Sequence, residues 1–134
     1  MLLRDVAYGL LPRGARAEKH RRAAEWIEGL GRPDDRAELL AYHYKHALEF
    51  GRAAGGTEDP RLVERARESL RAAGERALAL SAYAPAAEFF ADALALSPSA
   101  DPARPRLLLQ RGRGALSSIW HWIRFAQRGA RGIR

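Results

Sequence analysis

Residues 70–98 read Leu70-Arg-Ala-Ala-Gly74-Glu-Arg-Ala77-Leu-Ala-Leu-Ser81-Ala-Tyr83-Ala-Pro85-Ala86-Ala-Glu-Phe89-Phe90-Ala-Asp-Ala93-Leu94-Ala-Leu96-Ser-Pro98. Upstream, Val63, Ala66, Leu70, Ala73, Ala77 and Leu80 recur at alternating intervals of three and four, the period of an amphipathic helix. Small residues at Gly74 and Ala86 let two backbones approach closely, and Phe90, four places beyond Ala86, fills the space between them. Ala93 extends the same face, and Pro98 closes it because proline cannot continue a helix.

This order and spacing resembles a tetratricopeptide helix pair, a family whose repeat is about 34 residues long. The matching positions are Leu70, Gly74, Ala77, Ala86, Phe90, Ala93 and Pro98. The resemblance implies a helix, a tight turn and an antiparallel second helix. Leu70 and Ala77 stand where the family usually places larger aromatic residues, which makes the repeat atypical. Modules of this family bind other proteins, so the resemblance implies an interaction surface and a protein partner.

Composition bounds what the rest can be. A chain of 134 residues, 47% hydrophobic but poor in aromatic side chains, suits close helix packing and is long enough to bury a core. It contains no cysteine, which excludes disulfides, thiolate metal sites and cysteine nucleophiles and fits a reducing compartment. No apolar run approaches membrane-spanning length, and Met1-Leu2-Leu3 leads straight into Arg4-Asp5, so the expectation is a soluble cytoplasmic protein without a membrane span. Residues 103–134 hold eight arginines and no acid, so the total of +7 leaves residues 1–102 at −1. The basic character belongs to the C-terminal end.

Along the chain, Leu2, Leu3, Val6, Ala7 and Leu10 have helical spacing up to Pro12. A second helix is expected from about Ala15 to Glu28, with Ala23, Ala24, Ile27 and Leu30 on one side. Asp34 and Asp35, with Glu38 following, form a capping start for a third helix. Its two apolar stripes, Ala37-Leu40-Ala41-Tyr44-Ala47-Leu48 and Leu39-His43-His46-Phe50, imply two neighbouring helices. Asp59-Pro60 and Asp101-Pro102 are N-cap and first-turn proline signals. Leu107, Leu108, Gly112 and Ala115 then resemble the first helix of another repeat, with Leu108 and Gly112 spaced like Leu70 and Gly74. Its second helix does not follow, and residues 117–134 read as a basic, poorly ordered or loosely helical tail after a helical-repeat domain at 1–116.

The sequence offers little chemistry. It holds no phosphate-binding GxxxxGK[ST], no HExxH, no zinc-finger and no calcium-loop pattern. His43 and His46, three apart, supply half a metal site with no cysteine to complete it, so histidines packed between helices are the better reading, and the same holds for His20. No catalytic residue, cofactor or metal is therefore expected. Arg13, Arg16, Arg21 and Arg22, with Arg124 and Arg128 at the other end, are the candidate contacts for a partner or for nucleic acid. In the second case Trp120 and Trp122 could stack on bases beside the arginines. An amphipathic membrane helix over Ile119–Phe125 suits the residue types but is only about seven residues long.

The first half carries a second resemblance. Leu3-Arg4-Asp5-Val6-Ala7-Tyr8 with Leu11, Arg16, His20-Arg21, Ala24 and Ile27-Glu28, followed by Glu38-Leu39-Leu40-Ala41-Tyr42-His43-Tyr44 and Ala47, resembles the segment after the nucleotide-binding module of large bacterial signal-transduction ATPases. In that family the segment opens a tetratricopeptide-like arm that couples partners to the ATPase switch, often beside a nucleotide-cyclase or DNA-binding output domain. The resemblance spans about residues 2–115 and implies a fragment lacking the ATPase. Residues 117–134 match nothing in it, as a frame change or truncated gene would leave them. The sequence contains no asparagine, which argues against the chaperone carboxylate ligands that some tetratricopeptide grooves bind. The expectation is an all-α, tetratricopeptide-like array of about six helices in antiparallel hairpins. It would serve as a non-catalytic protein-interaction and signal-coupling module, with a small nucleic-acid-binding protein as the alternative.

Overall fold

The computed structural model describes residues 2–130, which form six α-helices and one short 3-10 helix, with no strand among them. In order they are α1 (Leu2–Gly9), α2 (Arg13–Gly29), the 3-10 helix (Pro33–Arg36), α3 (Ala37–Ala53), α4 (Pro60–Ala79), α5 (Tyr83–Leu96) and α6 (Arg104–Ala130). The chain divides into two compact units, 1–70 and 71–134, with the boundary inside α4. The helix-rich expectation holds, but the division does not coincide with the end of the repeat-like sequence.

In the first unit α2 and α3 run antiparallel. Arg13 at the start of α2 donates to the Ala53 carbonyl at the end of α3, and His20 meets His43 midway. The first α3 stripe is fully buried, from Ala37 and Leu40 through Tyr44 to Leu48, and Ala24 and Ile27 of α2 are buried as well. The expected capping start at Asp34-Asp35 falls ahead of the position that flanks α3. Those residues lie in the 3-10 turn, and the residue flanking α3 is Arg36, without a side-chain cap. Leu3, Val6 and Leu10, whose spacing suggests a core face, are exposed. An eight-residue helix is held here by Tyr8, which reaches His20, and by Arg16, which donates to the Gly9 and Leu11 carbonyls.

Two helix ends use the same geometry with different residues. At the end of α3, Gly56 donates to Gly51 and Gly55 to Arg52, with Gly55 at a φ of 74°. At the end of α4, Ala82 donates to Ala77 and Ser81 to Leu78, with Ser81 at a φ of 59°. Both are Schellman closures, in which one left-handed residue satisfies the last carbonyls. Glycine takes that conformation freely and serine does not. This closure supplies the tight turn between α4 and α5, so Leu80, read as the last apolar position of α4, falls outside the helix and is exposed.

The second unit is built on the expected close approach. A Cβ at Gly74 would lie 2.7 Å from Cε1 and 2.8 Å from Cζ of Phe90, so only glycine admits the ring. Phe90, Ala86, Ala93 and Ala77 are all buried. Ser97 adopts an extended conformation, as a residue before proline does, and its hydroxyl donates to the Ala93 carbonyl. Asp101 accepts from the Ala103 amide, and α6 begins at Arg104. Helix α6 returns antiparallel to α5. Arg104 donates to the Leu94 and Ser97 carbonyls, and further along Gly114 meets Tyr83 and Ala87.

Two sequence expectations fail on α6. Gly112, aligned with Gly74, has nothing within 4 Å of where its Cβ would be; the close approach is at Gly114, whose Cβ would lie 3.0 Å from the Tyr83 carbonyl oxygen. Likewise Leu107 is buried while Leu108 is half exposed. The helix also does not end near Ala115. It runs on through Ser117 and Ser118 to Ala130, because no proline follows Pro105 and the intervening glycines and serines weaken a helix without breaking it.

Candidate interaction surface

The arginines singled out near the N-terminus are occupied. Arg21 lies between Glu18 at 2.8 Å and Glu25 at 2.7 Å, and Arg22 meets Glu18 at 2.7 Å. Hydrogen bonds from Arg21 and Arg22 hold the Glu18 carboxyl down near 2, and the Arg21 guanidinium is stabilised in turn. Arg16 lies over the rings of Tyr8 and Phe50, 5.2 and 5.5 Å from their centroids. Arg13 is tied to Ala53. A phosphate clamp needs guanidinium groups with donors to spare; Arg16 and Arg21 spend most of theirs within the unit, while Arg22 gives only its Nε–H to Glu18 and is otherwise open.

Between α2 and α3 lies a cluster the sequence could not assemble. His43 and His46 are one turn apart, as expected, but His20 inserts between them, with ring centroids 5.2 Å from each. His20 Nδ1 is 3.0 Å from His43 Nδ1, and its Nε2 is 2.7 Å from the Tyr8 hydroxyl. Phe50 stacks on the other side of His20. Burial first, then the two neighbouring histidines, push the His20 imidazole down to about 4, and burial also lowers His43. The His20 and His43 rings therefore favour the neutral form, in which one of the two facing Nδ1 atoms donates to the other. Among the described residues no group of three or more His, Asp or Glu is placed to hold a metal ion. The cluster is a polar core contact between two helices.

The open surface is on α6. Leu107 and Gly114, seven residues apart, face α5 and are buried. On the other side Leu109, Gly112, Leu116, Ile119 and Ile123 alternate at three and four, the spacing of a helix–helix seam. Leu116 is 61% exposed and Ile119 55%, and Ile123 is half-buried. Among the described residues, nothing covers Leu109, Leu116 or Ile119. Trp120 and Trp122 flank the seam, each about two-thirds exposed, so neither seals the end of the fold.

Where α6 passes the start of α5, Trp122, Phe125 and Ser118 face Ser81, Tyr83 and Pro85 across a mostly apolar groove of about 420 Å³. Beside it, Trp120 and Arg124 line a smaller hollow of about 200 Å³ with Tyr83. Arg106 lies 3.7 Å from Glu75, but among the described residues no carboxylate pairs with Arg111, Arg113 or Arg124. Of the remaining expected contacts, Arg128 lies outside the residues whose side chains are described, as do Arg131 and Arg134. No helix among the described residues is long and apolar enough to cross a membrane.

No protein-family model, no curated protein and no solved structure matches this chain.

Proposed function

We propose that this chain is a non-catalytic helical-repeat module that binds another protein through the outer face of α6, in the reducing cytoplasm that its lack of cysteine suits. The observation that carries the reading is the seam from Leu109 to Ile123, regularly spaced along about four turns, with its apolar side chains exposed at Leu109, Leu116 and Ile119. A contiguous apolar patch with the spacing of a helix–helix seam marks an interaction site. Coupling to a signal-transduction ATPase remains the setting that the sequence resemblance suggests. The nucleic-acid alternative is weakened by the commitment of Arg16 and Arg21 to contacts within their own unit.

Selection from a displayed peptide library tests this reading. The parent chain should enrich a consistent set of peptides whose binding survives 0.5 M NaCl, and the Leu116→Asp, Ile119→Asp double variant should enrich none of them. Both positions are exposed, so the variant keeps its fold by far-UV circular dichroism. Failure to enrich, or enrichment that the variant retains, contradicts the proposal. So does tight binding to single-stranded oligonucleotides that disappears in high salt, which would give the basic end to nucleic acid.

A further inference from the structure

The α6 surface specifies more than apolar contact, and the class of partner it selects rests on its being a protein-binding face. A partner must match three features: the repeat along the seam, the space at Gly112 and the charge at the edges.

The repeat calls for a helix. Leu109, Gly112, Leu116, Ile119 and Ile123 follow the three-four alternation that accepts side chains of a facing helix between its own. The opposite side of α6 already does this with α5, where Gly114 admits the α5 backbone at Tyr83 and Ala87. Gly112 offers the same lack of side chain on the outer side, and nothing described occupies the space over it. The seam is about 21 Å long, which matches a helix of three to four turns, close to the average length in globular proteins.

The charge decides what kind of helix. Residues 103–134 contain eight arginines and no acid. Of those beside the seam, Arg111, Arg113 and Arg124 meet no carboxylate among the described residues, while Arg106 is drawn toward Glu75. Two copies of α6 laid seam to seam would bring arginines against arginines in either direction, so a second copy of this chain is a poor occupant. A helix with Asp or Glu beside its apolar stripe would pair with them and be guided to the site by the same field.

We propose that the outer face of α6 receives a single amphipathic helix from another protein, apolar along one stripe and acidic along its edges, which completes a helix hairpin with α6 across Gly112.

Three synthetic 21-residue peptides with identical Leu and Ile positions test this, carrying Glu, Gln or Lys at the flanking positions. Their binding to the full chain is followed by fluorescence anisotropy at 150 mM NaCl. The Glu peptide should bind at least ten-fold more tightly than the Lys peptide, with the Gln peptide between them. The Leu116→Asp, Ile119→Asp variant should bind none. The Arg111→Glu, Arg113→Glu variant, altered only at exposed positions, should invert the order and favour the Lys peptide. Gly112→Leu should weaken the Glu peptide while leaving the circular dichroism of the chain unchanged and its thermal midpoint no lower.

Equal binding of the three peptides, or an order that the arginine reversal leaves unchanged, overturns the proposal. Peptide-independent adsorption to vesicles of phosphatidylcholine and phosphatidylserine that Leu116→Asp, Ile119→Asp abolishes would assign the face to a membrane instead. A dimer by sedimentation that the same variant dissociates would assign it to self-association. If library selection enriches neutral or basic sequences on this seam while the Glu peptide fails, only the acidic-helix assignment falls. If selection enriches nothing, the protein-binding reading falls with it.

Discussion

Substituting Gly74 and Phe90 singly and together measures the close approach that organises the second unit. Alanine at Gly74 would place its Cβ 2.7 Å from a buried aromatic carbon, well inside van der Waals contact, and Phe90 is fully buried. Overpacking of this kind costs about 1–3 kcal/mol, while replacing a mid-helix glycine by alanine returns about 1 kcal/mol. Gly74→Ala should therefore lie between neutral and about 2 kcal/mol destabilising. Phe90→Leu removes the ring edge that the new methyl would strike and costs about 1–2 kcal/mol alone, less than the roughly 3–5 kcal/mol of Phe90→Ala. The double variant places the alanine methyl in the space the ring vacated, so it should be at least about 1 kcal/mol more stable than the sum of the single losses predicts. Urea unfolding at pH 7.5 gives all four stabilities, with unchanged m-values as the check that unfolding remains two-state. Additivity within about 0.5 kcal/mol would mean that Gly74 and Phe90 do not meet, and the α4–α5 hairpin would be wrongly drawn.

The histidine cluster gives a pH signature: with His20 held near 4 against an ordinary 6.5, the folded state binds fewer protons than the unfolded one. The stability it contributes is complete above about pH 6.5 and is lost as pH falls toward 4, by up to about 3 kcal/mol. His20→Gln should flatten that part of a urea-midpoint profile, and an unchanged slope would remove His20 as its source. Ser81→Gly should raise the thermal midpoint by about 2–4 °C through relief of the left-handed serine, while Gly55→Ser should lower it by a similar amount. A fall with Ser81→Gly would mean the α4 closure is not as described. Calorimetric titration with Mg-ATP should show no saturable binding, since the sequence contains no phosphate loop.

The parts of the fold legible in the sequence are those fixed by local periodicity. The buried face of α3, the Ala86-Phe90-Ala93 side of α5 and the start at Asp59-Pro60 could be read from spacing and capping chemistry, and Asp59 does accept from the Arg61 amide. What could not be read depends on contacts distant in sequence. His20 lies 23 positions from His43, and nothing in either helix announces that their nitrogens face each other. The same apolar spacing that buries α3 leaves Leu3 and Val6 of α1 exposed, because spacing marks a face without guaranteeing it a partner. At α6, glycines and paired serines suggest a helix end, yet only proline would enforce one. Counting four places from Leu108 chooses Gly112, whereas packing against Tyr83 and Ala87 selects Gly114. The seam residues Leu109, Leu116 and Ile119 are illegible for the same reason, since their shared face exists only once the helix continues past residue 116.

The most direct test of the interaction surface is an amide chemical-shift map of the isotopically labelled chain titrated with the Glu-flanked peptide. Perturbations concentrated at Leu109, Gly112, Leu116, Ile119 and Ile123, with His20 and His43 unmoved, are the predicted result. Shifts centred on Arg13–Arg22 or the histidine cluster, with the α6 amides unchanged, would contradict it.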